Sequence, residues 1–130
     1  MAVIVSDTST WVDYLNGQPN ALLGEAVDNG TVVLPPLVVA EMVSGALTME
    51  QRNAVGEIVQ FAPIHDTPLA HWIDVGLLRQ QLRRKGITVT LPDAHVAQCA
   101  LELDATLLSR DDIFPLIAHH TSLRVTSAAT

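Results

Sequence analysis

Cysteine is nearly absent from this chain of 130 residues. Cys99 stands alone, so no disulfide can close within the chain, which fits a reducing cytoplasm. Lysine is just as scarce: Lys85 is the only one. A phospho-acceptor receiver module wants a lysine after a late strand and paired acids after the first strand, and neither is here. Aromatic residues make up 4% of the chain, and Trp11 and Trp72 read as packing or dimer residues rather than a base-stacking platform. No apolar run approaches the length of a bilayer-spanning helix. The N-terminus lacks the basic and long apolar regions of a signal peptide, so none is expected. No GxGxxG fingerprint occurs, which removes the dinucleotide-binding reading. Ser9 stands where a haloacid-dehalogenase-type phosphatase needs its second acid. Net positive charge is also missing. The chain carries −7, the wrong sign for a simple nucleic-acid binder.

What remains is 48% hydrophobic and only 16% charged, enough apolar material for one folded domain over residues 1–130. Apolar β-branched runs alternate with helical patterns. Strands are expected at Ala2–Ser6, Thr31–Leu34, Ala62–His65, Thr106–Ser109 and Leu123–Thr126. Helices are expected at Thr10–Leu15, Pro19–Asp28, from Pro35-Pro36 to about Leu47, and from a Thr48 cap to about Gln60. Asp66-Thr67-Pro68 reads as the start of a helix on which Leu69, Trp72, Ile73, Gly76, Leu77 and Gln80 recur at helical spacing. Later helices are expected from Pro92 to about Leu103 and at Asp112–His119. Such alternation predicts an α/β/α fold with a mostly parallel sheet, whose ligands sit outside the carboxyl ends of the strands.

Four acids stand where acids are costly or conspicuous. Asp7 ends the first apolar run, and Asp111 follows "ATLLSR". Glu41 is the only charge in "PPLVVAEMV", and Asp93 opens the helix of "LPDAHVAQCA". Each has an ordinary reading: Asp7 and Asp111 as helix caps, Glu41 as a side chain reaching water, Asp93 as a complement to the helix dipole. Together they would meet on one rim. Carboxylates brought that close repel unless a cation joins them. Oxygen donors without histidine or cysteine suit Mg²⁺ or Mn²⁺ rather than zinc. Asp112 competes with Asp111 for the role of cap, and either order fits the sequence.

Four of the seven basic residues cluster at Arg79, Arg83, Arg84 and Lys85. They fit an RNA backbone, or simply the end of a helix with Arg79 and Arg83 on one exposed face. Arg110 fits a phosphate contact or a pair for a nearby acid. Cys99 sits among apolar neighbours and reads as core. His119 and His120 lack metal-ligand spacing and read as surface. His95 is the histidine nearest the acids in sequence and a weak candidate.

"DTS" after the first strand, a lone Glu in an apolar helix, "LPDA" opening a late helix and "LLSRD" closing a strand resemble the PIN domain. In its brevity the chain looks most like the VapC toxins of VapBC toxin–antitoxin modules. The resemblance implies a Mg²⁺-dependent endoribonuclease, with Mn²⁺ able to substitute and acids at Asp7, Glu41, Asp93 and Asp111. It implies supporting hydroxyls at Ser109 and at either Thr8 or Ser9, of which Ser9 is taken first. It also implies a homodimer and a small VapB-like antitoxin lying in or near the acidic groove. "RDDIF" matches the family's acidic stretch except that Ile113 replaces the second acid and Asp112 is out of step. Water, not the RNA 2′-hydroxyl, would attack, giving 5′-phosphate and 3′-hydroxyl ends. Two alternatives share the fold: a non-catalytic module that binds RNA or protein, and a housekeeping RNA-processing nuclease. Retention of all the acids speaks against the first, and a small antitoxin gene directly upstream would separate a toxin from the second.

Overall fold

The computed structural model describes residues 2–127. Three parallel strands, β1 (Ile4–Ser6), β2 (Thr106–Ser109) and β3 (Arg124–Ser127), lie side by side in that order. Helices α1 (Thr8–Leu15), α2 (Ala21–Asn29), α3 (Pro36–Gly45), α4 (Met49–Phe61) and α5 (Leu69–Arg83) separate β1 from α6 (Leu91–Leu103). Helix α7 (Ile113–His120) links β2 to β3. The result is an α/β/α arrangement in which every named strand runs the same way.

Two expected strands shrink to single bridges. Val32 pairs with Ile4, and Leu34 pairs with Ile64, both parallel. Leu34 donates to the Pro63 carbonyl at 2.8 Å and accepts from the His65 amide at 2.9 Å. The direction predicted for Thr31–Leu34 and Ala62–His65 is therefore right, but neither forms a ladder. Pro35 follows one segment at once and Pro63, which has no N–H, sits inside the other. Of the remaining strands β2 has the expected bounds, whereas β1 starts two residues late, at Ile4, and β3 one residue late, at Arg124.

Local chemistry sets the helix ends. Asp7 caps α1, which therefore begins at Thr8, two residues before the predicted Thr10. Thr48 and Gln51 form a reciprocal capping box on α4. Asp66 and Thr67 do not cap α5; Pro68 precedes it with no side-chain hydrogen bond. Gly86, at φ 80°, makes the left-handed exit from the turn after α5, where Ile87 donates back to the Leu82 carbonyl at 3.0 Å.

The core gathers both faces of the sheet, with Val5, Leu107, Leu108, Trp11, Phe114 and Ile117 fully buried. Each such burial contributes roughly 1.5–3 kcal/mol. Helix α5 corrects its sequence reading. The regular stripe of Leu69, Ile73 and Leu77 faces outward at 75%, 54% and 54% exposure. The inward face is His71, Val75, Leu78 and Leu82, which packs on α6. A histidine at the head of that face disguises it, while the apolar stripe is the more visible pattern.

Candidate active site

Strands β1 and β2 pair with Ser6 beside Leu108, so the residues that follow, Asp7 and Ser109, emerge as neighbours at the carboxyl edge. There the Ser109 hydroxyl donates to Asp7 Oδ2 at 2.7 Å. Its oxygen accepts from the Asp111 amide at 3.0 Å. One serine thus fixes two of the acids. Ser9 donates to the same Asp7 oxygen at 3.2 Å, while Asp7 Oδ1 caps α1 by accepting from the Thr10 amide at 3.3 Å. Asp7 is 6% exposed, and these donors are what make a buried carboxylate tolerable at the end of an apolar strand.

Glu41 projects from the second turn of α3. Its partner is Thr8, whose hydroxyl donates to Oε1 at 2.8 Å. Asp93 lies in the first turn of α6, placed there by Thr90, whose hydroxyl oxygen accepts from the Asp93 amide at 3.3 Å. Asp111 accepts from the Ile113 amide at 3.0 Å, so it rather than Asp112 satisfies the start of α7. Asp7, Glu41, Asp93 and Asp111 line one cleft, together with Thr8, Ser9, Asp13 and Pro92. Asp112 is not among its walls; it borders a neighbouring depression with Arg110 and Pro115.

The electrostatics report the same convergence. The Asp93 carboxyl is raised above its ordinary value, first by burial and then by the charges of Asp111, Asp7 and Glu41, against a lowering hydrogen bond with Thr90. Among the described residues none of these four acids forms an ion pair. Arg110 pairs instead with Asp13, at a long 3.6 Å between exposed side chains. An oxygen-only donor set, held by hydroxyls and lacking a cation of its own, fits a hard divalent metal.

The basic cluster divides. Arg79 is half-buried and donates through Nε to the Val89 carbonyl at 2.8 Å, tying the loop before α6 to α5. It does not share an exposed face with Arg83, as the spacing had suggested, because that loop folds back over it. Arg83, Arg84 and Lys85 are exposed. Cys99 is fully buried, as its apolar surroundings predicted.

Sequence reasoning left three contributors unassigned. Thr8 was interchangeable with Ser9, yet the two hydroxyls serve different acids. Thr90 was passed over, although Thr-x-x-Asp at a helix start is a capping signal. Asp13 follows Ser9 by one turn of α1 and so shares its face toward the cleft.

Comparison with solved structures finds the same fold widely. The chain is similar to VapBC2 from Rickettsia felis, solved bound to a promoter DNA fragment, with a TM-score of 0.79 and 22% identity over 98% of this chain and 99% of that one. It is similar to VapBC-1 from nontypeable Haemophilus influenzae, with a TM-score of 0.75 and 17% identity over 98% and 99% of the two chains. FitAcB from Neisseria gonorrhoeae matches with a TM-score of 0.66 and 22% identity over 95% and 96%. A search of curated proteins finds no match. At such identities the likeness carries the fold. Membership follows from the family profile described as the PIN domain, which matches residues 4–120, and by that match this chain belongs to the PIN domain family.

Proposed function

We propose that this chain is a divalent-metal-dependent endoribonuclease and the toxin of a toxin–antitoxin pair. The observation that carries the reading is the meeting of four carboxylates, from two strand ends and two helices, in one cleft that no described basic side chain lines. Asp7, Asp93 and Asp111 would hold Mg²⁺, or Mn²⁺ in its place, and Glu41 would hold a second ion or orient the attacking water. When bound, the metal supplies positive charge against the phosphate and the charge that develops on it.

The protein's own groups do the positioning. Ser109 and Ser9 hold Asp7 in one rotamer, and Ser109 also fixes the backbone of Asp111. Thr8 aims Glu41 across the cleft from the Asp7 side. Water attacks in line with the P–O3′ bond, which breaks as the new P–O bond forms, and the 3′-oxygen leaves and takes up a proton from solvent, so the products are a 5′-phosphate and a 3′-hydroxyl. Arg83, Arg84 and Lys85 are free to meet the RNA backbone, and Arg110 can exchange its weak contact with Asp13 for a phosphate.

A small antitoxin as partner is supported by the solved neighbours, VapBC complexes, and by the surface. Val43, Leu47 and Met49 are exposed beside an apolar groove floored by Met42, Ala46 and Val55. That patch suits the apolar face of a small VapB-like antitoxin. A cytoplasmic homodimer completes the proposal; among the described residues no helix is long and apolar enough to cross a membrane.

The test is cleavage by antitoxin-free protein of structured cellular RNAs with Mg²⁺, Mn²⁺ or EDTA, beside Asp7→Asn and Asp93→Asn. Discrete metal-dependent cuts with 5′-phosphate ends, lost in both folded variants, are expected. Equal cutting by the variants, or 2′,3′-cyclic phosphate ends, would overturn the reading.

A further inference from the structure

A second cluster of chemically able side chains lies at the other end of α6, and the nuclease reading makes no use of it. His65 comes from the bridge segment, His71 from the first turn of α5, and Cys99 and Glu102 from successive turns of α6. His65 Nε2 stands 2.7 Å from Glu102 Oε1. His71 Nδ1 stands 2.8 and 2.9 Å from the two oxygens of the same carboxylate. Ligand atoms of His65, His71 and Cys99 all lie within 4.8 Å of one another. His71 and Cys99 are buried, whereas the side chains of His65 and Glu102 keep 17% and 25% of their surface, which opens the cluster to solvent.

We propose that His65, His71, Cys99 and Glu102 form a second metal site, for a borderline-soft divalent ion of which Zn²⁺ is the type, distinct from the oxygen-only cleft. The donor set is the argument. Two imidazoles, a thiol and one carboxylate are zinc ligands, and nitrogen and sulfur donors are poor ones for Mg²⁺. Zn–N and Zn–S bonds of about 2.0 and 2.3 Å in a tetrahedron put neighbouring ligand atoms about 3.3–3.6 Å apart. To reach that spacing the ligand atoms of His65, His71 and Cys99 draw in from within 4.8 Å, and Glu102 eases away from the imidazoles it now meets at 2.7–2.9 Å. The outer shell is also built. His71 Nε2 meets His95 Nδ1 at 2.8 Å, Gln98 donates to Glu102 Oε2 at 3.1 Å, and Trp72 stacks on His95 with centroids 4.7 Å apart.

Without metal, hydrogen bonding assigns the protons of His95 and His71. The Leu37 amide donates to His95 Nε2 at 3.4 Å, so the His95 proton is on Nδ1 and points to His71 Nε2. The His71 proton is then on Nδ1 and points to Glu102. Zn²⁺ takes the place of the protons that face Glu102. Neutral His65 keeps its proton by moving it to Nδ1. On His71 it moves to Nε2, and on His95 from Nδ1 to Nε2. The histidines release none, and ligation by Cys99 releases one, to buffer. The chain of donors thus reverses, and the Leu37 amide, in the first turn of the helix that carries Glu41, loses its acceptor.

The test uses the full chain, stripped by chelator and kept in excess Mg²⁺ so that the acidic cleft is satisfied. Zn²⁺ is titrated against a chromophoric chelator. One ion bound per chain is expected, weakened roughly tenfold or more in His65→Ala and in Glu102→Gln and unchanged in Asp93→Asn. Co²⁺ added to the wild type gives visible d–d bands and a near-ultraviolet sulfur-to-metal band, which Cys99→Ala removes. The wild-type Co²⁺ spectrum keeps the test decisive if a variant misfolds. No competition for Zn²⁺, binding indifferent to His65 and Glu102, binding lost in Asp93→Asn, or a Co²⁺ complex without the sulfur band would overturn the site as proposed.

Discussion

The two ends of helix α6 put the same chemical group into opposite situations. At its start, Asp93 is raised by burial and by three neighbouring acids. At its end, burial also acts to raise Glu102, but hydrogen bonds from His65, His71 and Gln98 outweigh it and the carboxyl is lowered. The difference lies in the donors. Glu102 has three side chains that donate to it, while Asp93 has Thr90 alone against three neighbouring acids. In the metal-free protein a carboxylate supplied with donors stabilises the fold, and one left among its own kind destabilises it.

Breaking the contrast at Asp93 should have the largest effect. Asp93→Asn is expected to abolish RNA cleavage, by roughly 10²–10³-fold or more, while raising the melting temperature in EDTA because one of four mutually repelling charges is gone. Activity assays and calorimetry on the same preparation check both halves, and a variant that is inactive and also less stable would break the comparison. At the other end the sign inverts. Glu102→Gln should cost about 1–3 kcal/mol in urea unfolding, because three donors lose a charged acceptor.

The histidine end also imposes a pH dependence. Burial, then the nearby His71 and His65, holds His95 down to about 4 from its ordinary 6.5, against a smaller upward pull from Glu102. The unfolded chain therefore binds the proton first. The stability this represents is present above about 6.5 and lost as pH falls through about 4. Glu102, also lowered, acts in the same direction at the acid end; Asp93, raised, acts in the opposite one. Unfolding free energies measured from pH 7 downward should thus fall, and His95→Phe should flatten the upper part of that decline. The smallest effect is at Asp104, which closes α6 with a left-handed φ of 51° and holds Arg124 at 2.8 Å. Asp104→Gly relieves the backbone and removes the side-chain ion pair but leaves the bond from Arg124 to the residue 104 carbonyl, so a net change within about 1 kcal/mol is expected, shifting toward stabilisation at high salt.

The cleft was more legible than the histidine cluster for a physical reason. Asp7 and Glu41 interrupt apolar runs, and an interruption is visible in a few neighbouring letters. Which hydroxyl serves which acid was not, because Thr8 and Ser9 differ only in where α1 points them. His71 was hidden twice: it occupies a core position of α5, and the outward stripe of Leu69, Ile73 and Leu77 is the louder pattern. Its partner Glu102 lies 31 residues away, a separation at which no local rule connects a histidine with an acid. The shrunken strands were misjudged in length for a related reason. Their apolar character is real, but ladder length depends on neighbours that Pro35 and Pro63 deny them.

The hydrogen bond from Ser109 to Asp7 joins residues 102 positions apart, and among the described residues β1 forms its ladder with β2, beside a single bridge to Val32. Loop closure over that span comes late in folding. A ribosome making this chain adds Asp7 and Glu41 long before, and Asp93 shortly before, the strand that holds Asp7 in place. The cleft therefore assembles only after β2 has been made, and a fragment that stops short of β2 carries Asp7, Glu41 and Asp93 without their arrangement. In a protein whose proposed activity is harmful to the cell that makes it, the order of the chain is itself a safety catch.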